Sequence, residues 1–436
     1  MFDYLVIGSG PAGLSLAYGL KGSGASVAIV ENYLWGGVCP NFGCDPTKLM
    51  MAAVETQSRV NRLRGGGIKG SVQVDWSELI ARKKITTDPF AENALAGLKA
   101  SGIETIYGTA VFTADGKVEV AGKSYTAGKY IIATGTSPRQ MDIEGGTLLK
   151  SSDDFLLLES LPHDIVFLGT GPVTLELAQI AHAAGSHVTV LAKSELTILH
   201  FNQELAHDYL ARLAADGIIF KEQVEIEKVE HTADGKLKLS NHAGFEIVTD
   251  YAVAGVGRVA NVDKLNLEAV GVEADARGIK VNSLLQTKNP NIYAMGDVLA
   301  KPLAHLTTVS MFESNYLAHS LNTKNANSIE YPTIPSVIYG ASKFAEVGQL
   351  SGDGISVKTM DMTNWFTYKR IADPFSKAKI ATNEKGEIVG ASMISTVADE
   401  LVNLLMLLIQ TKTDAAGFQK MVTAYPTVAS DLTYLY

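Results

Sequence analysis

The sequence predicts an α/β protein built from two copies of one strand–turn–helix–strand unit, followed by an α+β C-terminal segment. Three observations carry that expectation. The apolar run Tyr4-Leu5-Val6-Ile7 enters Gly8-Ser9-Gly10-Pro11-Ala12-Gly13. The pattern returns where Asp164-Ile165-Val166-Phe167-Leu168 enters Gly169-Thr170-Gly171-Pro172-Val173-Thr174. Beyond Tyr331-Pro332-Thr333-Ile334-Pro335, where prolines interrupt regular structure, strand-like stretches alternate with one apolar helix. A chain of 436 residues has room for about two to four domains. Its 46% hydrophobic and 19% charged residues describe a packed protein and exclude a disordered one. A net charge of −9 argues against bulk nucleic-acid binding, since nothing pulls a polyanion to the surface as a whole.

In the first unit, Leu14, Leu16, Ala17 and Leu20 follow the glycine turn with helical spacing, and the strand Val27-Ala28-Ile29-Val30 ends at Glu31. A glycine pattern between a strand and a helix, with an acid at the end of the next strand, specifies a Rossmann-like dinucleotide site. Gly8, Gly10 and Gly13 let the backbone approach a pyrophosphate at the positive helix N-terminus. Glu31 is the acceptor for ribose hydroxyls.

The second unit repeats the plan with two changes. Gly185 stands where the first has Gly24, and Val188-Thr189-Val190-Leu191 matches the strand before Glu31, but the acid becomes Ala192 with Lys193 beside it. An acid there repels a 2′-phosphate and a cation attracts one, so Gly169, Gly171 and Lys193 favour NADPH over NADH. The other reading of Lys193 is a solvated surface lysine. The third glycine position is Thr174, which predicts looser helix–strand packing.

Between and after these units, Tyr130-Ile131-Ile132-Ala133-Thr134-Gly135 and Asn291-Ile292-Tyr293-Ala294-Met295-Gly296-Asp297 read as buried strands ending in turns. In the C-terminal segment, Lys377 to Ala381 and Ile388 to Ser392 are strand-like. Ala398 to Gln410 is a nearly all-apolar helix that should be buried, either in a core or at a subunit contact. No apolar run reaches the 18 or so residues of a membrane span, Leu401 to Ile409 being short and broken by Asn403. The N-terminus enters a strand at once, without a signal-peptide pattern, so a cytoplasmic location is expected.

The only cysteines are Cys39 and Cys44, in Gly36-Gly37-Val38-Cys39-Pro40-Asn41-Phe42-Gly43-Cys44-Asp45-Pro46-Thr47-Lys48. Two cysteines cannot frame a fold of this size, and a close intracellular pair is catalytic or metal-binding more often than structural. Zinc needs further ligands, and neither another Cys nor a nearby His supplies them, so no metal site is read. Pro46 can begin a helix, which puts Cys44 near a helix N-terminus, where a thiolate is stabilised.

With these motifs in hand, the chain resembles the class I flavoprotein disulfide reductases, the pyridine nucleotide-disulfide oxidoreductases that include glutathione reductase, dihydrolipoyl dehydrogenase and mercuric reductase. The resemblance rests on the first glycine motif, the Gly-Gly-x-Cys-x4-Cys-x-Pro-x-Lys stretch, Ala133-Thr134-Gly135, the second motif through Glu176, Gly257-Arg258, and Ala294-Met295-Gly296-Asp297. It covers nearly the whole chain and is nearest to glutathione reductase. It implies a homodimer with FAD-binding and central domains over 1–147 and 261–330, an NAD(P)-binding domain over 148–260 and an interface domain over 331–436. It assigns FAD to Gly8, Gly10, Gly13, Glu31, Gly135, Gly296 and Asp297, and the nicotinamide nucleotide to Gly169, Gly171, Lys193, Gly257 and Arg258. By the same resemblance, Cys44 is the thiol against the flavin, Cys39 is the interchange thiol that attacks substrate, and Lys48 pairs with Glu176 beside flavin and nicotinamide.

The match breaks at one place. The family's C-terminal His-Pro-Thr sequence, whose His is oriented by a Glu and serves the partner subunit's cysteines, reads here Tyr425-Pro426-Thr427-Val428-Ala429-Ser430-Asp431. Tyr425 takes the His position and Ser430 the Glu position. A histidine with a pKa near 6.5 exchanges protons at neutral pH and a tyrosine near 10 does so poorly. Either Tyr425 handles the proton weakly, another group such as Asp431 assists, the substrate needs less proton transfer, or Tyr425 only packs at a subunit boundary. A tyrosine here and the Leu191-Ala192-Lys193 strand end also resemble mercuric reductase, but its C-terminal cysteine pair is missing. The expected activity is NAD(P)H-dependent reduction of a small disulfide through FAD and the Cys39–Cys44 pair. Alternatives are reduction of metal ions, quinones or reactive oxidants, a dihydrolipoyl dehydrogenase-like electron-transfer subunit, and a non-catalytic redox sensor. Neither nucleic acid nor a membrane is expected as a partner.

Overall fold

The computed structural model describes residues 1–323 and 325–436. The chain divides into two compact units, one made of Met1–Pro46, Arg82–Arg139 and Gly257–Glu330, the other of Thr47–Ala81, Gln140–Val256 and Tyr331–Tyr436.

The first unit is organised by a five-stranded parallel sheet in the order Ile292–Ala294, Ala127–Ile132, Phe2–Ile7, Val27–Glu31, Glu104–Tyr107. Leu5, Val6, Ala28, Ile29, Ile131 and Ile132 are buried, as the unbroken apolar runs predict for parallel strands covered on both faces. The helix Pro11–Gly22 follows the first strand, with Pro11 at its first position, where a missing N–H costs nothing. It buries Leu16, Ala17 and Leu20 and packs along the helix Thr307–Ser320. A three-stranded antiparallel sheet of Ala110–Phe112, Val118–Val120 and Lys123–Tyr125 adds Phe112, Val118 and Val120 to the same core.

The second unit repeats the strand–turn–helix–strand plan with four parallel strands in the order Ile219–Lys221, His187–Leu191, Asp164–Leu168, Tyr251–Ala254. Its helix Pro172–Ala183 again has Pro at the start. The expected looseness at Thr174 is relieved elsewhere in the chain. Thr174 is buried, and a Cβ on Gly255 would lie 1.9 Å from its Oγ1. The side chain that the first unit omits at Gly13 is accommodated here because residue 255 has none.

The C-terminal part of this unit is a five-stranded antiparallel sheet in the order Ser336–Ile338, Lys343–Gly348, Ile388–Ser395, Lys377–Thr382, Ser356–Asp361. The helix Ala398–Gln410 packs on it through Ala398, Leu401, Val402, Leu405 and Leu408. Within the chain the burial of this helix is one-sided. The sheet covers one face only, so Leu407 is 53% exposed and Leu404, Met406 and Ile409 are partly covered.

Candidate functional site

In the first unit, the glycine turn is shaped by steric necessity. Gly8 has φ +106°, and a Cβ there would sit 2.3 Å from the Ala133 carbonyl oxygen. A Cβ at Gly13 would sit 2.0 Å from the carbonyl oxygen of Gly8. Gly10 faces open space and caps its helix without a side-chain hydrogen bond. The first backbone N–H groups of that helix therefore point into a cradle that a pyrophosphate fits. Glu31 closes the cradle's edge. Its Oε2 accepts from Ser9 N (3.0 Å) and Ser9 Oγ (2.7 Å), and its Oε1 from Asn32 N (2.8 Å) and Tyr33 N (2.9 Å). Those four bonds use all the acceptor positions a carboxylate offers, so a ribose hydroxyl gains Glu31 by exchange with Ser9 or the turn, not by filling a free position.

Gly135 (φ +63°) ends the strand Ala127–Ile132. Thr134 is tied to Asn261 by two hydrogen bonds, Thr134 Oγ1 to Asn261 O (2.8 Å) and Asn261 Nδ2 to Thr134 O (2.9 Å). Arg258 donates from Nε to Thr136 Oγ1 (2.9 Å) and from Nη2 to Thr136 O (2.8 Å). Gly257, at φ +103°, accepts from Arg139 N. The Gly-Arg pair thus braces the segment 136–138, a structural duty its sequence context did not announce.

Gly296 (φ +80°) turns the chain into Asp297. Asp297 Oδ1 accepts from Ser310 Oγ (3.2 Å) and lies 3.8 Å from His305 Nδ1. Behind the turn, Glu313 accepts from Gly296 N through Oε2 (2.6 Å) and pairs with Lys301 through Oε1 (2.6 Å). Glu313 and Lys301 escaped the sequence reading, because one carboxylate in a helix and one lysine in a loop carry no local signature.

The cysteines lie where the glycine-rich turn gives way to helix. Gly36 (φ +98°) and Gly37 (φ +67°) make the turn, Cys39 lies in the short helix Val38–Phe42, and Cys44 opens the helix Cys44–Leu63. Both are thiols, Cys44 exposed and Cys39 half-buried. Cys44 Sγ is 3.5 Å from Thr307 Oγ1, at the start of the helix Thr307–Ser320. The hydrogen bond to Cys44, and then burial, push the Cys39 thiol well above the usual cysteine range.

In the second unit, Gly169 (φ +99°) approaches the Gly255 carbonyl oxygen, which a Cβ would meet at 2.6 Å, and Gly171 is open, with no side-chain cap on its helix. This second cradle also fits a pyrophosphate. Lys193 is exposed and pairs with Glu225 at 2.5 Å. In the same unit, Lys48 Nζ lies 2.5 Å from Glu176 Oε2 and 4.7 Å from the centroid of the Tyr339 ring. Glu176 Oε1 accepts from Tyr339 N (3.0 Å). Burial raises the Glu176 carboxyl above the usual carboxylate range, while Lys48 works against that rise. Tyr425 is 70% exposed and stacks on Phe366, centroids 6.1 Å apart. Asp431 is buried, and its burial raises its carboxyl.

Residues 2–315 match the family model described as pyridine nucleotide-disulphide oxidoreductase. The chain belongs to that family. Residues 334–435 match the family's dimerisation domain. A dihydrolipoyl dehydrogenase of Thermus scotoductus is 32% identical over 80% of this chain and 76% of its own length. A glutathione reductase of Burkholderia cepacia is 28% identical over 100% of this chain and 98% of its own. The HOCl-induced flavoprotein disulfide reductase RclA from Escherichia coli shares the fold, with a TM-score of 0.89 at 22% identity over 99% of each chain. As a member of this family, the protein is an NAD(P)H-dependent flavoprotein oxidoreductase, and members use FAD and a pyridine nucleotide. No helix among the described residues is long and apolar enough to cross a membrane.

Proposed function

We propose that the protein is a homodimeric, NADPH-preferring reductase of small disulfides, similar in activity to glutathione reductase. The observation that carries this reading is the Cys39–Cys44 pair, two thiols hydrogen-bonded to one another where the helix Cys44–Leu63 begins. FAD, held by Gly8, Gly10, Gly13, Glu31, Gly135, Gly296 and Asp297, would supply hydride acceptance from the nicotinamide and two-electron delivery to the cysteine pair. The open helix starts at Gly10 and Gly171 support one dinucleotide in each unit.

The protein's own part is thiol exchange. Cys39, once deprotonated, attacks one sulfur of the substrate disulfide and expels the other as a thiolate, which leaves as a thiol after taking a proton. Cys44 then attacks Cys39 in the mixed disulfide, re-forming the Cys39–Cys44 bond and releasing the second thiolate. Cys39 needs a proton acceptor because its thiol is raised. Tyr425 of a second copy, a phenol and so a poor base, is proposed instead as the hydrogen-bond and proton donor to the departing substrate thiolate, in the position where the family carries histidine. Lys193 supports the NADPH preference, and Gly169, Gly171, Gly257 and Arg258 complete the proposed nucleotide site. Lys48 and Glu176 are proposed to stand beside flavin and nicotinamide.

Tyr425 also favours a second reading. Reduction of a metal ion takes up electrons without protons and so depends less on the missing histidine than disulfide exchange does; quinones and reactive oxidants belong to the same alternative. The deciding experiment is anaerobic reduction of the purified full-length protein with NADPH and with NADH, followed by turnover on a panel of oxidants. Steady turnover of small disulfides with NADPH supports the first reading. Turnover confined to quinones, Hg²⁺, Cu²⁺ or hypohalous oxidants overturns it in favour of the second.

A further inference from the structure

The strands that carry the second glycine turn hold another cluster at their opposite end. His163 immediately precedes the strand Asp164–Leu168, and His187 opens the adjacent strand His187–Leu191. The parallel register sets His187 beside Asp164. His163 Nδ1 is 3.3 Å from Asp164 Oδ2, and His187 Nδ1 is 3.2 Å from Asp164 Oδ1. All three potential ligand atoms lie within 4.8 Å of one another. The two imidazoles meet edge to face, 4.4 Å between centroids.

We propose that His163, Asp164 and His187 form a binding site for one divalent transition-metal ion of the zinc class. Two imidazoles and a carboxylate are a donor set such ions accept. Ligands about 2.0–2.2 Å from a tetrahedral centre are separated by roughly 3.3–3.6 Å. The two nitrogen–oxygen separations are already close to that edge length. The ion takes its place between the two Nδ1 atoms and the carboxylate, and water supplies the remaining coordination from the exposed side.

The frame of the site is fixed before any ion arrives. His187 N donates to His163 O (2.8 Å), and Asp250 N donates to Asp164 O (3.1 Å). Asp164 N donates to Asp250 Oδ2 (2.9 Å), Thr249 Oγ1 to Asp164 O (2.7 Å), and Ser186 Oγ to Pro162 O (2.7 Å). Only side-chain torsions must adjust on binding, which keeps the ordering cost low. The local charge also favours a cation. Asp164 and Asp250 face a single lysine, Lys236, whose Nζ is 2.9 Å from Asp250 Oδ1 and 3.7 Å from Asp164 Oδ2.

The place of the site defines its effect. Asp164–Leu168 runs from the cluster at its N-terminal end to Gly169 at its other end, about 16 Å for five residues. An ion here bolts together the first residues of two adjacent strands and does not touch a bound nucleotide. It stabilises the folded unit by mass action, since the unfolded chain does not bring the three ligands together.

The test uses FAD-loaded, tag-free, full-length protein carrying Cys39→Ser and Cys44→Ser, because thiols also bind such ions. Zn²⁺ is titrated by calorimetry, with thermal unfolding followed in parallel. One ion per chain and a raised Tm are expected. His163→Gln and His187→Gln should each weaken that binding by at least 10-fold and remove the Tm increment while leaving the metal-free Tm unchanged. Lys236→Gln should tighten binding several-fold by removing the opposing charge. No stoichiometric binding at 100-fold excess over protein would overturn the proposal, as would unaltered binding in both histidine variants, which is the result for an adventitious ion only. Unchanged affinity in Lys236→Gln would also overturn it, because the ion would then not lie against Asp164.

Discussion

The Lys48 ammonium lies 2.5 Å from Oε2 of Glu176, whose side chain is 6% exposed, while the other carboxylate oxygen takes the backbone N–H of Tyr339. Both carboxylate oxygens thus have a partner in a setting that disfavours the charge. The balance is carried by the lysine, since burial alone raises the carboxyl. Lys48→Met should strip the compensation and leave Glu176 to be buried charged or to take up a proton. Loss of one partner of a fully buried pair costs about 3–5 kcal/mol, and the 36% exposure of the Lys48 side chain puts the cost here below that range. A carboxyl raised in the fold binds more protons folded than unfolded. Its contribution is therefore complete below the ordinary carboxylate value and is lost as pH rises through the elevated value. Calorimetry should show a Tm deficit of Lys48→Met against wild type that grows from pH 5 to pH 8. A deficit independent of pH would mean that Glu176 is not the group responsible.

How much of this was legible in the sequence depends on whether a residue's constraint is local. Gly8 and Gly13 are readable because their neighbours, Ala133 and Gly8 itself, belong to strands and turns that the motif implies. The Cys39-x4-Cys44 spacing and Pro46 likewise indicate a turn and then a helix, and Cys44 does open one. Thr174 could not be understood from its own unit, because the space it fills is left by Gly255. Thr307, beside Cys44 across 263 residues, and Glu313, behind Gly296, act through tertiary contacts and leave no periodic trace. For the helix Ala398–Gln410, apolar composition predicts burial but does not say which faces the sheet of the same chain covers.

The raised Cys39 thiol gives a direct chemical test. Its first cause is the hydrogen bond to Cys44, so Cys44→Ser should lower it. In the reduced protein, alkylation of Cys39 by iodoacetamide should become faster at pH 7–8 in Cys44→Ser than in wild type. The wild-type rate should climb steadily toward alkaline pH as the thiolate forms. Cys39→Ser should keep FAD and NADPH oxidation by artificial acceptors while losing disulfide turnover. Mass spectrometry of the labelled protein and steady-state rates measure both outcomes. Equal labelling rates in Cys44→Ser and wild type would dismiss the coupling.

Tyr425 stacks on Phe366 through its ring, and its hydroxyl is the only part that can exchange a proton. Tyr425→Phe keeps the stack and removes the hydroxyl, so it should slow disulfide turnover without lowering Tm. Tyr425→His restores a group that titrates near neutrality and should accelerate disulfide turnover, by up to the roughly 10²–10⁴-fold attributed to positioned acid–base groups. The pH–rate profile of the histidine variant should gain a limb in the neutral range. If Tyr425→Phe turns over as fast as wild type at every pH, the residue only packs.

Lys193 is paired with Glu225 at 2.5 Å. Both side chains are exposed, and such pairs contribute about 0–1 kcal/mol, so a 2′-phosphate can compete for the lysine. The carboxylate nevertheless opposes that phosphate. Glu225→Gln should raise the ratio of kcat/KM for NADPH over NADH several-fold, and Lys193→Glu should reverse the preference. Low salt should enlarge both effects, because screening weakens exposed charges. Unaltered ratios in both variants would remove Lys193 from nucleotide recognition.

The Glu313 and Lys301 side chains are buried together, 0% and 7% exposed, with Nζ to Oε1 at 2.6 Å, and Oε2 receives the Gly296 N–H at 2.6 Å. A salt bridge this dry is weak evidence for stability, since desolvation offsets much of the attraction. Its consequence here is geometric. It fixes the turn, at φ +80°, that delivers Asp297, one of the residues proposed to hold FAD. Lys301→Met leaves a lone buried carboxylate and should lower Tm. Lys301→Met with Glu313→Leu removes both charges and should recover most of that Tm, as apolar replacement of buried pairs often does. The double variant still lacks the acceptor for Gly296 N–H, so its FAD dissociation constant should remain about 10-fold weaker than wild type, the scale of one charged hydrogen bond. Fluorescence titration of apoprotein with FAD measures this separately from stability. Wild-type affinity in the double variant would show that the pair supports the fold alone and that Asp297 finds its place without it.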